Sequence, residues 1–532
     1  MRDFHLPGRS PLYAANGMAA TSVPAATLAA IDMLRAGGNA LDAAVTAASV
    51  LAVIEPHSTG IGGDCFCLYA PAGTGQVIAL NGSGRAPEAA RIDWFEARGI
   101  TALEDSSPHG VTVPGAVAAW ETLLAAHGRK ALAEVLQPAI GFAEQGFAVT
   151  PRVAWDWARN ADKLRRTGAA PFLPGGGAPA AGERFVQPAL AATLRAIAAR
   201  GARAFYEGEI AADMVATLRA RGGLHTQADF AAGATAAQFV DPIRIGWRGH
   251  DVWQCPPNGS GLVVLMLLGI LGGWDPSPDG PLGASRLHRH IEAARLVYRD
   301  RDAFLADPSQ ADVPVAHLTS PGYLSALRGL IRDDVAMGDL PRAGEAELPA
   351  HRDTVYLCVV DRDGNACSFI NSLFHSFGSG ILAERSGVML HNRGLGFRLQ
   401  RGHPNCIAPF KRPMHTIIPG LLTRDGEVVM TYGVMGGHFQ PMGQTLFLTN
   451  HVDYGLDIQE ALDLPRVLPF GGKVEVERGV PVAVLDRLAR LGHAIERIEA
   501  PHGGGQAIRI DRKRGCLIGG SDPRKDGCAL GY

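Results

Sequence analysis

Apolar residues recur at helical spacing over residues 23–36, and the pattern ends at a pair of glycines. Asn39 follows as a capping residue and predicts a second helix that runs to about Val53. The pattern then changes to short apolar runs at 65–69 and 77–80, each close to a glycine-rich turn, which is typical of strands. The N-terminal part of the chain therefore predicts two helices followed by two strands.

Helical periodicity returns in the middle of the chain, and strands alternate with glycine-rich turns after it. The predicted helices cover residues 115–146, 189–221, 262–272 and 292–304. Because helices flank the strand-rich stretches, this order predicts an α/β layered architecture. The one plausible internal break is 333–352, which is polar and punctuated by proline.

The stretch from Thr354 to Ser372 has the pattern of a strand, a tight turn and a returning strand. Asp361 and Gly364 suit a type I turn closed by a left-handed glycine, and in such a three-residue loop Asp361 pairs with Asn365. This register places Thr354 directly opposite Ser372, hydroxyl to hydroxyl. A two-residue loop would instead shift the register by one and turn Ser372 to the other face.

The position of Thr354 predicts a nucleophile. If the chain is cut before it, the new α-amine, with a pKa of about 7.7–8.0, can serve as the base for the hydroxyl of the same residue. Gly436 and Gly437 follow a later strand, and two consecutive glycine amides can form an oxyanion hole. The simpler alternatives are a threonine that is only a β-former and a glycine pair that is only a turn.

Composition narrows the classes of partner. The chain has 532 residues, 47% of them hydrophobic and 19% charged, which describes a globular protein with a sizeable core. Its net charge of −2 gives no general attraction to nucleic acid or to an anionic membrane. The N-terminus lacks the apolar stretch of a signal peptide and the run at 262–271 is too short to span a bilayer, so we expect a cytoplasmic protein.

No pattern predicts a metal or a cofactor. The eight cysteines include no Cys-x-x-Cys pair, and His288 and His290 would lie on different faces of a helix. The glycine-rich turn at 60–63 follows a helix and precedes a strand, which is the reverse of the dinucleotide-binding order. Cys358 and Cys367 nearly face each other in the predicted hairpin, but buried free cysteines are common and we do not expect a disulfide there.

Short motifs are spread over nearly the whole chain. In chain order they lie at residues 37–45, 55–56, 60–63, 113–117, 137–139, 205–208, 256–257, 359–365, 377–380, 411–413, 436–437, 465–466, 520–524 and 531–532. Each motif is short, but together their order and spacing resemble those of the gamma-glutamyltransferase (glutathione hydrolase) family.

The resemblance implies a four-layer αββα N-terminal-nucleophile hydrolase that is made as one precursor and cleaves itself. Cleavage would fall between Asp353 and Thr354. It would leave a large subunit of residues 1–353 and a small subunit of residues 354–532, which stay together as a heterodimer. The family needs no cofactor for this chemistry.

The resemblance also assigns roles within the reaction. Thr354 occupies the position of the family's nucleophile, and Ser372 stands where the family has a second threonine that supports it. Gly436 and Gly437 match the family's oxyanion-hole glycines. This agrees with the hairpin register and the glycine pair found from the residues alone.

The residues that hold the substrate differ from the family pattern. Ser83 occupies the position of an arginine that binds the substrate α-carboxylate, and Arg85 lies two residues further on. Phe374 replaces an asparagine that follows the supporting threonine. A glutamine and an aspartate that hold the α-amino acid end become Arg393 and Gly396.

Two serines after the Lys-Arg-Pro motif are also replaced, by His415 and Thr416. Loss of the aspartate removes the natural partner of an α-ammonium, whereas Arg85, Arg393 and His415 predict a pocket that favours anions. Arg85 also suits a surface arginine at a turn. Arg393 has the stronger claim because it replaces a substrate-facing family position.

The resemblance makes glutathione or another γ-glutamyl compound the expected substrate of a self-processing amidohydrolase. The alternative is another small anionic amide, such as oxamate, or a glutaryl group as in the family's cephalosporin acylases. We expect hydrolysis to exceed transpeptidation. The hypothesis from another class is a catalytically silent homologue that serves as a binding protein and remains a single uncut chain.

Overall fold

The computed structural model describes residues 8–340 and 354–532, so Asp353 and the predicted cleavage bond lie outside the described residues. The strands are β1 (Leu12–Ala14), β2 (Met18–Thr21), β3 (Asp64–Ala70), β4 (Ile78–Gly82), β5 (Phe147–Ala148), β6 (Arg184–Phe185), β7 (Gln238–Val240), β8 (Ile243–Trp247), β9 (His250–Gln254), β10 (Val355–Val360), β11 (Ala366–Ser372), β12 (Leu382–Ala383), β13 (Val388–Met389), β14 (Gly420–Arg424), β15 (Glu427–Met435), β16 (Val467–Phe470), β17 (Lys473–Val476), β18 (Ile495–Arg497), β19 (Gly504–Asp511), β20 (Cys516–Ser521) and β21 (Cys528–Gly531). The helices are α1 (Pro24–Arg35), α2 (Ala40–Ile54), α3 (Ile92–Glu96), α4 (Ala116–His127), α5 (Leu132–Val135), α6 (Gln137–Gln145), α7 (Pro151–Arg159), α8 (Ala161–Thr167), α9 (Pro188–Arg200), α10 (Arg203–Tyr206), α11 (Gly208–Arg219), α12 (Gln227–Gly233), α13 (Gly261–Leu271), α14 (Ala284–Phe304), α15 (Val315–Leu318), α16 (Pro321–Gly329), α17 (Gln440–Val452), α18 (Ile458–Asp463) and α19 (Val482–Arg490).

Two seven-stranded sheets form the centre of the molecule. One has the strand order β1-β20-β19-β15-β14-β9-β8 and the other β21-β2-β10-β11-β3-β4-β7. Each sheet combines strands from both sides of the predicted cleavage site. Residues before and after Thr354 therefore belong to one body rather than to separate domains.

Three apolar layers separate the two sheets and their helices. The layer between the sheets includes Phe66, Tyr356, Ile370 and Met435. Helices α1, α2, α4, α6 and α9 cover the sheet that contains β10. Helices α13, α14 and α17 cover the other sheet. The order helix, sheet, sheet, helix is the four-layer αββα architecture expected from the family resemblance.

The predicted N-terminal helices are confirmed, and the longer ones are interrupted. Asn39 forms a capping box with Asp42 at the start of α2. The predicted helix over 115–146 is divided into α4, α5 and α6, and the one over 189–221 into α9, α10 and α11. Gly128 ends α4 and Gly201, with φ of 76°, ends α9, because glycine readily leaves the helical conformation.

The β10–β11 hairpin has the predicted register. Val355 pairs with Asn371, and the turn is closed where the amide of Asp361 donates to Asn365 O. Gly364 has a φ of 88°, the left-handed conformation that this loop requires. Alternate residues of β10 face opposite layers, and Thr354 has the same parity as Tyr356, which lies between the sheets.

The same register corrects the expected neighbour of Cys367. Cys358 pairs with Ser368, so Cys358 and Cys367 lie on opposite faces of the sheet. Cys67 on the adjacent strand β3 lies closest to Cys367, with 3.6 Å between the sulfur atoms. All eight cysteines are free thiols. The pairing with β3 could not be read from the hairpin alone.

No helix in residues 8–340 or 354–532 has the length and apolar character needed to cross a membrane. Within the same ranges, no group of three or more His, Cys, Asp and Glu side chains is arranged to hold a metal ion. His288 and His290 do lie on different faces of α14: one ring bonds His493 and the other bonds Arg286 O.

Candidate active site

Thr354 and Ser372 meet where β10 begins and β11 ends. Their side-chain oxygens lie 3.2 Å apart, and both residues are fully buried. Hairpin register alone brings them together, because residues directly opposite in adjacent strands carry their side chains to the same face. The result is a pair of hydroxyl groups between the two sheets.

The oxygen of Ser372 is also a hydrogen-bond acceptor. The backbone amide of Phe374 donates to it at 2.9 Å, and the guanidinium NH2 of Arg393 lies 3.3 Å from it. Phe374 has a φ of 78°, which is unusual for a non-glycine residue and turns the chain sharply after β11. Its ring then lies 4.1 Å from the Arg393 guanidinium carbon, in a cation–π contact.

Arg393 is a buried cation beside the hydroxyl pair. It starts a 3₁₀ helix (Arg393–Gly396), and its NH1 donates to Thr416 Oγ1 at 2.9 Å. Its Nε makes no hydrogen bond within the described part of the chain. Burial lowers the pKa of Arg393 to about 9, so the guanidinium remains protonated at neutral pH.

Asp64 is the carboxylate that forms an ion pair with Arg393 among the described residues. The distance between Asp64 Oδ2 and Arg393 Nε is 3.9 Å. Its oxygens accept from the Gly84 amide at 2.9 Å and from His415 Nε2 at 2.9 Å. His391 Nδ1 lies 3.4 Å away. Burial would raise the pKa of the Asp64 carboxyl, but His391 and His415 hold it well below its usual range.

His415 is neutral in this arrangement. Burial, together with repulsion from Arg393, lowers the pKa of His415 to about 3. Its Nε2 hydrogen is therefore donated to Asp64, and the ring lies 4.8 Å from that of Phe66. His415 orients Asp64 rather than adding positive charge to the pocket, which corrects the expectation from the sequence.

Gly436 and Gly437 form a sharp turn at the end of β15. Their φ angles are 114° and 55°, a conformation that residues with a Cβ rarely adopt. A Cβ on Gly436 would lie 2.9 Å from Gly503 Cα, so the turn is also closely packed. Successive amides in such a turn can point at a common anion.

Gln440 connects this turn to Thr354. It is the first residue of α17, and its Nε2 lies 3.4 Å from Thr354 Oγ1. Its Oε1 accepts a hydrogen bond from the Ile418 amide at 3.2 Å. The glycine pair therefore lies a few residues from a side chain that contacts the hydroxyl group. Sequence reasoning missed Gln440, because nothing in its local pattern marks it.

Gly396 is the position where the family has a carboxylate for the substrate ammonium. A Cβ at Gly396 would lie 2.5 Å from Met414 O, closer than real Cβ contacts. The backbone of the Met414 segment thus occupies the space that an aspartate side chain would need. The packing leaves no room for that aspartate.

Comparison with known proteins supplies the family. The gamma-glutamyltranspeptidase family matches residues 26–532 of the chain. The chain belongs to this family. It is an enzyme of the N-terminal-nucleophile hydrolase class, as the resemblance predicted. Relatives of the chain are named as proenzymes.

Relatives of the chain have different named activities. The glutathione hydrolase-like YwrD proenzyme of Bacillus subtilis is 38% identical over 512 residues, covering 94% of this chain and 95% of the relative. The oxamate amidohydrolase proenzyme of Klebsiella pneumoniae is 35% identical, covering 97% and 98%. The crystal structure of a cephalosporin acylase from Bacillus halodurans has a TM-score of 0.90 and 38% identity, covering 100% and 99%. Family membership therefore establishes the class of reaction and leaves the substrate open.

Two of the other predicted substrate residues of this family member lie against Arg393, and one does not. Phe374 and Thr416 both contact Arg393. Arg85 lies elsewhere: its NH1 donates to Phe410 O at 2.9 Å and is 3.7 Å from Asp307. The structure thus brings together three of the five predicted substrate residues, places His415 behind them and directs Arg85 to a loop.

Asp105 is a further residue that sequence reasoning missed. It pairs with Lys163 at 2.7 Å and accepts a hydrogen bond from His375, which follows Phe374. Asn392 Nδ2 also donates to it at 2.9 Å. Burial would raise the pKa of Asp105, but His375 and Lys163 lower it to about 2. This ionised carboxylate anchors the residue that follows Phe374 and the residue that precedes Arg393.

Proposed function

We propose that the protein is a self-cleaving amidohydrolase whose nucleophile is Thr354. Cleavage between Asp353 and Thr354 would yield chains of residues 1–353 and 354–532, which remain associated. The observation that carries the proposal is the 3.2 Å contact between Thr354 Oγ1 and Ser372 Oγ at a strand end. Gln440, three residues after the Gly436-Gly437 turn, also contacts Thr354 Oγ1.

In the proposed reaction the Thr354 oxygen attacks the substrate carbonyl while its hydroxyl hydrogen passes to the α-amine freed by cleavage. The negative charge on the carbonyl oxygen is stabilised by the amides of Gly436 and Gly437. The carbon–nitrogen bond then breaks, and the α-ammonium gives its proton to the leaving amine. Water attacks the resulting ester, the α-amine takes the proton of the water, and the acid is released as Thr354 regains its hydrogen.

We further propose that the substrate is a small amide with a carboxylate close to the scissile bond. Arg393 is buried, remains protonated and has an Nε without a hydrogen-bond partner among the described residues. A buried cation of this kind favours an anion that can complete its hydrogen bonds. Asp64 also contacts His391, His415 and two backbone amides. Its negative charge therefore balances the positive charge of Arg393 only in part.

The position of Arg393 sets the length of the substrate. Its NH2 contacts Ser372, which in turn contacts Thr354, so the guanidinium lies within two hydrogen-bond lengths of the nucleophile. A carboxylate joined to the scissile carbonyl directly, or through a short spacer, can reach both groups. The oxamate amidohydrolase of Klebsiella pneumoniae is a relative named for such a substrate.

A γ-glutamyl amide is the second candidate, and the names of relatives such as the glutathione hydrolase-like proenzyme support it. Against it stands the closed space at Gly396, where the carboxylate for the substrate ammonium would be needed. An ammonium buried without a partner is costly, so we rank the γ-glutamyl amide below the short anionic amide.

The first test is the state of the purified protein. We expect two fragments on a denaturing gel, the smaller beginning at Thr354 by N-terminal sequencing. T354A should run as one chain of 56.0 kDa with no amidase activity. A wild-type protein that stays uncut would support the silent binding homologue, and cleavage of T354A at the same bond would exclude Thr354 as nucleophile.

The second test is a substrate panel. Release of ammonia or amine is measured with oxamate, glutathione, γ-glutamyl-p-nitroanilide and glutaryl-p-nitroanilide. We expect kcat/KM to be highest for oxamate. A higher value for the γ-glutamyl substrates would reject the short-substrate proposal and leave the nucleophile assignment intact. Measuring the same reactions with an added amine acceptor tests whether hydrolysis exceeds transfer.

A further inference from the structure

Gln440 is fully buried and lies three residues after Gly437, and the two ends of its side-chain amide have different partners. Its Oε1 accepts from the Ile418 amide at 3.2 Å, while its Nε2 lies 3.4 Å from Thr354 Oγ1. A backbone N–H can only donate, so the oxygen of the Gln440 amide must face Ile418 and its NH2 must face Thr354. Gln440 is therefore a donor to the Thr354 oxygen.

The hydrogen bonds of Ser372 also fix the direction of its hydroxyl hydrogen. Its oxygen accepts from the Phe374 amide at 2.9 Å and from Arg393 at 3.3 Å. A hydroxyl oxygen accepts two hydrogen bonds and donates one, so the hydrogen of Ser372 is directed to Thr354 Oγ1. Two side chains, one on β11 and one on α17, thus donate to the same oxygen.

We propose that Gln440 is a catalytic hydrogen-bond donor that stabilises negative charge on Thr354 Oγ1. This inference rests on the proposed role of Thr354 as nucleophile. During attack, the hydrogen of Thr354 passes to the α-amine as the new carbon–oxygen bond forms. During deacylation, that bond breaks with its electron pair on Oγ1, and the ammonium returns a proton to it. Gln440 keeps its own hydrogens throughout.

The location of Gln440 connects the groups proposed to bind the substrate carbonyl oxygen with the group proposed to bind Thr354 Oγ1. Gly436, Gly437 and Gln440 lie on one short segment that joins β15 to α17. The amides proposed for the substrate oxygen and the proposed donor to the nucleophile oxygen therefore lie within five consecutive residues. A displacement of this segment would weaken both contacts together.

The chain contains a matched control for Gln440. Gln444 lies one turn further along α17 and is equally buried. It donates to Ile418 O and accepts from Gln254 Nε2, so it braces the same residue as Gln440. Among the described residues, the side chain of Gln444 bonds Gln254 and Ile418 and not Thr354. Substitution by methionine keeps the length of the side chain at either position and removes its hydrogen bonds.

The experiment compares Q440M and Q444M with the wild type. The self-cleavage rate is followed after cell-free synthesis, and kcat and KM are measured on whichever of oxamate and γ-glutamyl-p-nitroanilide the wild type hydrolyses faster. We expect Q440M to lower both the cleavage rate and kcat about tenfold with little change in KM. Q444M should lower Tm by a similar amount and keep both rates near the wild-type values.

The Q440E variant tests whether Gln440 acts by donating a hydrogen bond to Thr354 or only by filling space. A protonated carboxyl can donate to Thr354, whereas an ionised one can only accept. The kcat of Q440E divided by that of the wild type should therefore rise as the pH falls through the pKa of the introduced group. A role in packing alone predicts a ratio that does not change with pH.

Three outcomes would overturn the inference: wild-type rates in Q440M, equal losses in Q440M and Q444M, or a pH-independent ratio for Q440E. T354A separates these failures from failure of the proposed function. If T354A neither cleaves itself nor hydrolyses the substrate while Q440M is unchanged, only the role of Gln440 is rejected. If T354A retains both activities, the nucleophile assignment is wrong.

Discussion

The nucleophile side and the substrate side of the site are built in different ways. Thr354, Gly436 and Gly437 are placed by the backbone, through strand register and positive φ angles. The substrate side depends on the identity of side chains on loops and a 3₁₀ helix, above all Arg393. Backbone geometry can persist while side chains are exchanged, so one family can keep its reaction and change its substrate.

The largest effect should come from the backbone side. G437A places a Cβ at a φ of 55° and misdirects an amide of the proposed oxyanion hole, so we expect kcat to fall about 10²- to 10³-fold. Gly471 also has a φ of 55° but lies in open space, so G471A is the matched control for backbone strain. Similar kcat values for the two variants would show that the glycine pair does not form the oxyanion hole.

Arg393 tests the substrate side. R393M should lower kcat/KM on a short anionic amide about 10- to 100-fold, the value of a charge-assisted hydrogen bond. The loss should be much smaller on a neutral amide of the same length, because only the anion needs the guanidinium. R85A is the control, since Arg85 bonds Phe410 and Asp307 instead. An equal loss of kcat/KM on both amides would mean that Arg393 does not bind the substrate anion and acts only through its contact with Ser372.

Gly396 shows whether family chemistry can be restored by one substitution. G396D should destabilise the protein by about 1–3 kcal/mol, because its Cβ would meet Met414 O at 2.5 Å, and it should give no gain on γ-glutamyl-p-nitroanilide. Gly177 has open space and an extended φ, so G177D should leave Tm nearly unchanged. A stable G396D with improved γ-glutamyl activity would contradict the closed-pocket explanation.

His415 gives a prediction for the pH dependence of stability. The pKa of His415 falls from an unfolded value of about 6.5 to about 3 in the folded protein. Between these values the unfolded chain binds more protons, so stability should decrease as pH falls through this range. H415N should reduce that dependence by about one proton, measured by denaturant unfolding from pH 7 to 4. An unchanged slope would mean that His415 is charged when folded.

Strand register explains which parts of the site could be predicted. The Thr354–Ser372 contact follows from a three-residue loop, and the loop residues Asp361 and Gly364 specify that loop locally. Arg393 was found because the family resemblance marks its position. Its contact with Phe374 depends on the positive φ of Phe374, for which the sequence has no signal.

The residues that were missed or misplaced depend on tertiary packing. Gln440 is brought to Thr354 by the packing of the two sheets, and Cys67 is brought to Cys367 by the pairing of β3 with β11. The sequence predicts that His415 helps the pocket favour anions, but burial beside Arg393 lowers the pKa of His415 to about 3 and leaves it neutral. Such outcomes require the three-dimensional neighbours of a residue, which sequence spacing does not provide.

Both sheets contain strands from before and after Thr354, and this mixing affects refolding once the cleaved protein has unfolded. In the sheet order β21-β2-β10-β11-β3-β4-β7, strands from before and after Thr354 alternate in blocks. An uncut precursor folds as a single molecule, whereas two separated fragments must first meet and then interleave their strands. Refolding after cleavage would therefore depend on protein concentration, and persistence of the mature enzyme would be governed by how slowly it unfolds.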